Sequence, residues 1–327
     1  TVEEAAGEWW PFSSTFLGML KFPKVLREIE QAAASSTLKN LSLPRIVVMG
    51  DENAGKSSTL ERIAMVDVLP RSHKICTRQP IALKLRHDEH VRSRDPFIVL
   101  RIPGGEEQAG LMSGTVREAL EAHMNGIADK QQGIVVGEEI EVEVHSDGVP
   151  TIDLIDLPGL VAVRVSEASE PEAISSMTEA CTRSYLEHEM TGAVVCVLDA
   201  TSDNLRTSKA LRLVQDSRED LQRHTIGVLA KADKTYDRDW EDEGRSHGYW
   251  KLEARLRGDA EDFVPLGCGY VTVVNRNTDS QNSSNLSLQQ QNMKELSWFD
   301  EHMPEASDSV RSRFGIASVV GQVNWVF

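Results

Sequence analysis

The stretch that decides the fold of this chain runs from Arg45 to Ser58 and reads RIVVMGDENAGKSS. A short β-branched run leads into a complete G-x-x-x-x-G-K-S pattern, which is followed by a helical pattern. The glycines let the backbone curl until its N–H groups converge on phosphate oxygens, and the start of the helix adds a partial positive charge. A glycine-containing turn that binds nothing is the alternative interpretation. The complete pattern in its strand-before, helix-after context favours a phosphate-binding loop.

Two side chains of this loop have expected roles of their own. Lys56 is expected to bring a point charge to the β and γ phosphates of a nucleotide, and the Ser57 hydroxyl is expected to bind Mg²⁺. The predicted nucleotide-binding residues of the loop are Gly50, Asp51, Asn53, Ala54, Gly55, Lys56, Ser57 and Ser58.

A second motif, Asp156-Leu157-Pro158-Gly159, closes the predicted strand 152–155. In P-loop hydrolases an acid at this place holds Mg²⁺ through water, and the glycine N–H senses the γ phosphate. Asp-x-x-Gly alone is usually a strand-ending turn, which is the alternative interpretation. Downstream of a phosphate-binding loop, the motif predicts that Asp156 is a metal residue and that Gly159 takes part in catalysis.

A third motif, Lys231-Ala232-Asp233, follows the predicted strand 226–229 and favours guanine over adenine. A carboxylate accepts two hydrogen bonds from guanine, from N1–H and from the 2-amino group. Adenine offers an acceptor and no amine there, so it would leave Asp233 unpaired. The stem of Lys231 is expected to lie along the face of the base. A surface charge pair is the alternative interpretation.

Two further segments complete the predicted site. Asn275 and Arg276 follow the predicted strand 271–274, and we expect them next to the base or ribose, with strand capping as the alternative. The polar, basic loop 69–80 contains Thr77, which is placed to bind Mg²⁺ and to orient water when the loop closes. A plain connecting loop is the alternative interpretation of this segment.

The composition excludes several classes of protein. The 327 residues carry 35 Lys and Arg against 51 Asp and Glu, a formal net charge of −16, and 40% are hydrophobic, so the chain can bury a large core. Such an acidic surface argues against nucleic-acid binding and against adhesion of the whole chain to an anionic bilayer. The four cysteines lack Cys-x-x-Cys spacing, and no apolar run reaches about 20 residues. We therefore expect neither a disulfide framework, nor a zinc site, nor a membrane span.

Strand and helix patterns alternate along the chain. The predicted strands are 46–49, 81–85, 97–102, 140–144, 152–155, 193–198, 226–229 and 271–274. Continuous β-branched runs are typical of strands buried on both faces. We therefore expect an α/β fold with a mainly parallel central sheet of about eight strands and helices on both faces. The segment 277–292, rich in Asn, Ser and Gln, is predicted to be a solvated loop.

Together these motifs resemble the dynamin superfamily of large GTPases over roughly residues 40–325. The loop is decisive, because Leu69-Pro70-Arg71 followed by Thr77-Arg78-x-Pro80 separates this family from Ras-like small GTPases. The resemblance implies a P-loop GTPase domain at 41–310, an N-terminal segment and helix at 1–40, and the start of a C-terminal flanking helix at 311–327. The acidic N-terminus lacks an initiator Met, so we expect a piece of a longer protein.

The resemblance also implies an activity and partners. It implies GTP hydrolysis with Mg²⁺ and a monovalent cation, K⁺ or Na⁺. It implies dimerisation of GTPase domains across the nucleotide, near the segment that starts at Asp199 and ends at Asn204. Through a stalk outside this sequence, the full-length protein is expected to remodel or divide membranes. It would be cytoplasmic and peripheral to membranes, with membranes and, as a further candidate, microtubules as partners.

The residues expected to position the attacking water differ from those of small GTPases and from those of the family that the chain resembles. Small GTPases orient the attacking water with a Gln directly after Asp-x-x-Gly, and Leu160 stands there in this chain. The resemblance gives that role to the position of Glu52, normally Gln, which is followed by Asn53, normally Ser. A negative charge near the γ phosphate is unfavourable unless a cation offsets it. The expected catalytic residues are Glu52, Asn53, Lys56, Thr77 and Gly159.

Two alternatives to an efficient GTPase stay open. Glu52 and Asn53 motivate a GTP-dependent assembly module with weak or no hydrolysis, which phosphate release with and without K⁺ would distinguish from the enzyme. A P-loop ATPase or kinase is the weaker alternative, because Asp233 suits guanine.

Overall fold

The structure is a computed structural model, and it describes residues 45–70, 77–93, 95–129, 133–149, 151–161, 170–236, 248–275 and 287–326. Predictions for Arg276, for the middle of the loop 69–80 and for the N-terminal segment 1–40 lie outside these residues.

One sheet organises the part of the chain that the structure describes. Its strands are β1 (Arg45–Gly50), β2 (Ile81–His87), β3 (Phe97–Arg101), β4 (Gln108–Leu111), β5 (Ile140–Ser146), β6 (Ile152–Asp156), β7 (Thr191–Asp199), β8 (Thr225–Ala230) and β9 (Tyr270–Val273). The spatial order is β4-β3-β5-β2-β6-β1-β7-β8-β9. The neighbours β6, β1, β7, β8 and β9 are parallel. Their carboxyl ends therefore share one edge, where ligands bind in open α/β sheets.

Helices cover both faces of the parallel part. They are α1 (Lys56–Ala64), α2 (Ser113–Asp129), α3 (Glu170–Glu187), α4 (Lys209–Gln215), α5 (Glu219–Arg223), α6 (Trp250–Arg257), α7 (Leu288–His302), α8 (Asp308–Arg311) and α9 (Gly315–Val326). Along β1, Ile46 and Val48 join a hydrophobic cluster with α1, α2 and α9, whereas Val47 and Met49 join one with α3 to α8. The predicted α/β fold is thus confirmed. Among the described helices, none is both long enough and apolar enough to cross a bilayer.

The other end of the sheet is mixed. Strand β2 is antiparallel to β6 and parallel to β5, and β3 is antiparallel to β5 and β4. On β5, Val142 and Val144 are buried, while Glu141 and Glu143 lie on the polar face and pair with Lys84 and Arg101. The sequence pattern does not predict β4, because its four residues are mostly exposed and show no alternation of apolar and polar side chains.

The predicted loop 277–292 is partly wrong, because α7 already begins at Leu288. Ser287 accepts a hydrogen bond from the backbone of Gln290, and the Gln290 side chain accepts one from the backbone of Ser287. This reciprocal capping box stabilises a helix start inside a polar segment. Asn292 is buried in the first turns of this helix, so its polarity reflects a buried hydrogen bond rather than contact with water.

Candidate nucleotide-binding site

The loop between β1 and α1 needs its glycines. A Cβ on Gly50 would lie 2.2 Å from the carbonyl oxygen of Val197, so the neighbouring strand excludes any side chain there. Gly55 has a φ of 100°, and Asn53 a φ of 60°, both in the left-handed region. The loop thereby curls back on itself and places Lys56 as the first residue of α1.

The Asp-x-x-Gly turn after β6 is fastened to this loop. Leu160 donates its N–H to the carbonyl of Gly50 at 3.1 Å, and Glu52 donates its N–H to the carbonyl of Leu160 at 2.9 Å. A Cβ on Gly159 would lie 3.1 Å from both the Cα of Glu52 and the Nζ of Lys56. A side chain at 159 would therefore press on the Glu52 backbone and on the Lys56 ammonium, and these neighbours would have to shift by a few tenths of an ångström. The Leu160 side chain is buried in the core, so it cannot orient a water molecule.

The carboxylate of Asp156 accepts hydrogen bonds from hydroxyls of two other segments, so side-chain oxygen atoms of three segments meet here. Its Oδ2 accepts hydrogen bonds from Ser57 Oγ at 3.2 Å and from Thr77 Oγ1 at 3.1 Å. Its Oδ1 is buried and has no hydrogen-bond partner among the described residues. Burial raises the pKa of this carboxyl, while Lys56 and the two hydroxyls act in the opposite direction.

This donor set suits a hard cation. Carboxylate and hydroxyl oxygens are ligands that Mg²⁺ accepts, and Mg²⁺ takes its other ligands from water and phosphate. A cation would also satisfy the buried Oδ1 of Asp156, which otherwise carries a desolvation cost. Within the described residues there is no cluster of three or more His, Cys, Asp or Glu side chains that would suit zinc. The residues present therefore fit Mg²⁺.

The remaining predicted loop residues occupy different surroundings. Asn53 is exposed, and Glu52 is only partly buried. Asp51 turns the other way, and its Oδ1 accepts the backbone N–H of Ala210 at 3.3 Å, at the start of α4. The loop is thus tied to α4 through a side chain that the sequence assigned to nucleotide binding.

At the end of β8, Lys231 and Asp233 lie at a one-turn 3₁₀ helix. Burial raises the pKa of Asp233, which Lys234 and Lys231 partly oppose. The Lys231 ammonium donates to Asp199 Oδ2 at 2.5 Å. Although burial alone would raise it, hydrogen bonds from Lys231 and Thr201 hold the pKa of Asp199 below its usual value. The sequence placed Asp199 only in the partner-facing segment, and nothing in the local pattern signals this contact.

The amide of Asn275 lies beneath the phosphate loop. Its Nδ2 donates to Thr59 Oγ1 at 2.9 Å, and its Oδ1 accepts from Arg62 Nη1 at 3.3 Å. A Cβ on Gly55 would lie 3.2 Å from Nδ2. The structure thus places Asn275 against α1, and neither Thr59 nor Arg62 belongs to the motifs that the sequence singled out.

Lys209, the first residue of α4, lies at the Asp-x-x-Gly turn. Lys209 Nζ donates to the carbonyl of Val161 and to Ser175 Oγ, both at 2.7 Å. Val161 follows Leu160 directly, and Ser175 is a buried residue of α3. The start of α4 therefore touches the phosphate loop through Ala210 and the end of the turn through Lys209.

Comparison with known proteins agrees with this geometry. Residues 46–232 match the dynamin family. The chain is 32% identical to dynamin-related protein 3A of Arabidopsis thaliana over 297 residues, covering 84% of this chain and 34% of that protein. It is 32% identical to the interferon-induced GTP-binding protein MxE of Danio rerio over 282 residues, covering 84% and 40%. The chain thus spans about a third to two fifths of the length of these relatives.

Proposed function

The chain belongs to the dynamin family, and from that premise we propose that it binds GTP between β1 and α1 and hydrolyses it with Mg²⁺. The observation that supports this most directly is the buried Asp156 carboxylate, which gathers the hydroxyls of Ser57 and Thr77 beside Lys56. Oxygen donors next to a buried lysine are the parts that a Mg²⁺-bound triphosphate requires.

The phosphates and the base are held by different segments. The loop backbone from Asn53 to Ser58 donates N–H groups to the phosphates, and Lys56 neutralises the β and γ oxygens. Asp233 accepts the N1–H and 2-amino hydrogens of guanine. The Lys231 stem lies along the base, its ammonium held by Asp199. Arg276 and the backbone of Asn275, whose amide is bonded to Thr59 and Arg62, complete the base or ribose end of the site.

Hydrolysis depends on what surrounds the γ phosphate. Ser57, Thr77 and Asp156 would hold Mg²⁺, which would neutralise charge on the β and γ oxygens when bound. The Gly159 N–H donates to the γ phosphate, and Lys56 lies beside it. Thr77 and Glu52 accept hydrogen bonds from the attacking water, with Asn53 next to them in the loop. A bound monovalent cation, K⁺ or Na⁺, would offset the charge of Glu52.

Beyond this domain, the family relationship supports further proposals. Two GTPase domains associate across their nucleotides near Asp199 to Asn204, a segment that Asp199 joins to the base motif through Lys231. Regions outside this sequence couple the cycle to membrane remodelling or fission, which makes the full-length protein peripheral to membranes in the cytoplasm. Relatives named dynamin-related protein and Mx GTP-binding protein support the nucleotide assignment.

A second candidate function is a GTP-dependent assembly module with weak or no hydrolysis. The observation that favours it is the position of Glu52, whose Cα lies against Gly159, as the Lys56 ammonium does. A negative charge at that place repels the γ phosphate and lowers the stabilisation of the transition state unless a cation is bound.

Phosphate release separates the two candidates. We would measure GTP turnover at increasing protein concentration in KCl, NaCl and choline chloride, together with binding of a fluorescent GTP analogue. Turnover that rises with protein concentration and with K⁺ or Na⁺ supports the enzyme. GTP binding without detectable release in any of these salts removes the enzyme and leaves the assembly module.

Substitution at Thr77 tests the mechanism. Thr77→Ala removes one hydroxyl from the Mg²⁺ site, and we expect kcat to fall about 100-fold while GTP affinity changes only a few-fold. The matched control is Thr182→Ala, which removes a buried hydroxyl bonded to the Thr178 carbonyl, within α3. Equal losses in both variants would assign the Thr77 effect to stability rather than to turnover.

A further inference from the structure

A buried ion pair joins the phosphate-binding helix to the C-terminal part of the described chain. The side chains of Arg62 on α1 and Glu295 on α7 are each 1% exposed. They meet in a bidentate arrangement, with Nη1–Oε1 at 2.9 Å and Nη2–Oε2 at 2.5 Å. Both charges are removed from water, so the pair is stable only while every remaining hydrogen-bonding group also finds a partner.

The ion pair also forms hydrogen bonds with the backbone at the end of β9. Glu295 Oε1 accepts the N–H of Val274 at 2.7 Å, and Arg62 Nη1 donates to the carbonyl of Val274 at 3.0 Å. The two members of the ion pair thus bind both polar groups of one peptide residue. Glu295 Oε2 also accepts the N–H of Ile316 at 2.9 Å, in the first turn of α9.

The same guanidinium fixes the amide of Asn275. Arg62 Nη1 donates to its Oδ1 at 3.3 Å, and its Nδ2 donates to Thr59 on α1. Asn292 supports the guanidinium from α7, where its Oδ1 accepts from Nη2 at 2.8 Å. The segment that carries the base contact is thereby bonded to the helix that carries the phosphate contacts.

We propose that Arg62 and Glu295 are positioning residues for the nucleotide, which set the spacing between its base contacts and its phosphate contacts. This inference rests on the proposed GTP site. A nucleotide is held at both ends, so its base adds affinity only if the end of β9 and the start of α1 keep the right separation before binding. The ion pair provides that pre-organisation, because it bonds the backbone and side chain at 274–275 to α1.

The test compares a whole nucleotide with its phosphate part alone. The ratio of the Kd for inorganic triphosphate to the Kd for GTP, both with Mg²⁺, measures what the guanosine part contributes. The variant is Arg62→Met with Glu295→Gln, since replacing both members of a buried ion pair by neutral groups leaves no unpaired charge. Gln at 295 can still accept the N–H of Val274.

The matched control removes an ion pair away from the site. Arg45 and Glu139, each 20% exposed, meet in a bidentate arrangement, with Nη1–Oε1 at 2.8 Å and Nη2–Oε2 at 2.6 Å. The control variant, Arg45→Met with Glu139→Gln, removes a pair at the amino end of β1 and touches neither α1, nor β9, nor the segment 199–204. Melting temperatures of both variants are measured first.

We expect the ratio of the triphosphate Kd to the GTP Kd to fall about tenfold in the Arg62/Glu295 variant, which is the size of a typical coupling between two binding sites. In the control variant this ratio should keep its wild-type value. An unchanged ratio in a folded Arg62/Glu295 variant, or an equal fall in both variants, overturns the inference. If that variant does not fold, Asn292→Ala removes only a neutral partner of Arg62, and an unchanged ratio there overturns it equally. Wild-type protein that binds no GTP would instead contradict the proposed function.

Discussion

Among single residues, Asp233 is the one that we propose selects the purine base. Its carboxylate is expected to accept two hydrogen bonds from guanine, and hydrogen bonds to a charged acceptor contribute about 1.5–3 kcal/mol. Asp233→Asn turns one acceptor into a donor. We therefore expect GDP affinity to fall about 10- to 100-fold, since each 1.4 kcal/mol is tenfold. Xanthosine diphosphate, which has a carbonyl at C2 in place of the amine, should gain affinity in the variant.

The xanthosine comparison makes this test independent of folding, because a misfolded variant would lose both nucleotides. Asp259→Asn, an exposed carboxylate paired with Arg257, is a suitable control and should leave both affinities unchanged. Unchanged GDP binding in Asp233→Asn would show that another group recognises the base.

Single residues of the site could be predicted from the sequence where they belong to a local motif at the end of a strand. Ser57, Thr77 and Asp156 come from three distant segments, yet the structure joins their oxygen atoms. The contacts of Lys231 with Asp199 and of Arg62 with Glu295 could not be predicted, because they link residues 32 and 233 positions apart. Such pairs depend on strand order and helix packing, which a local pattern does not contain.

At the scale of elements, the start of α4 contacts both the loop after β1 and the Asp-x-x-Gly turn, which together form the proposed γ-phosphate site. Ala210 bonds to Asp51, and the Lys209 ammonium holds the carbonyl of Val161 directly after the Asp-x-x-Gly turn. Lys209→Met would release this carbonyl and loosen the Gly159 backbone. Because we propose that the Gly159 N–H acts mainly in the transition state, we expect kcat to fall about tenfold with KM changed less than threefold.

Two control variants accompany Lys209→Met, one that keeps the contact with Val161 and one that removes a contact elsewhere. Lys209→Arg retains donors for Val161 and Ser175, so it should recover most of the turnover. Arg218→Met removes a guanidinium from the carbonyls of His188 and Thr191, away from the site, and should leave kcat unchanged. A rise in KM with kcat intact would mean that Lys209 supports binding instead of turnover.

Strands and helices could be predicted from the sequence more easily the more deeply they are buried. The parallel strands β1, β7 and β8 are long apolar runs, and their sequence pattern indicates them directly. Strand β4 has exposed residues at the sheet edge, and its pairing with β3 depends on tertiary structure. Helix α7 starts among Ser and Gln, where a capping box and buried hydrogen bonds with Arg62 outweigh the loop-like composition.

At the scale of the whole molecule, α9 lies in the same core as the phosphate-binding helix. Val319 is fully buried in the cluster that contains Leu60 of α1 and Val271 of β9. Val319→Ala deletes two buried carbons, so we expect the free energy of unfolding to fall by about 2 kcal/mol in urea titrations. Met293→Ala, at a 54% exposed position of α7, should change it by less than about 0.5 kcal/mol.

The number of unfolding transitions then shows whether α9 unfolds together with the GTPase domain or separately from it. The sequence predicts a domain boundary near 311, with a flanking helix after it. If α9 shares the core, circular dichroism and hydrogen exchange at 315–323 should report one cooperative transition, which Val319→Ala shifts as a whole. A separate early loss of α9, with the main midpoint unchanged, would instead show that the helix is a unit of its own. Bound GDP should move the shared transition upward, because a ligand of the native state stabilises everything that unfolds with its site.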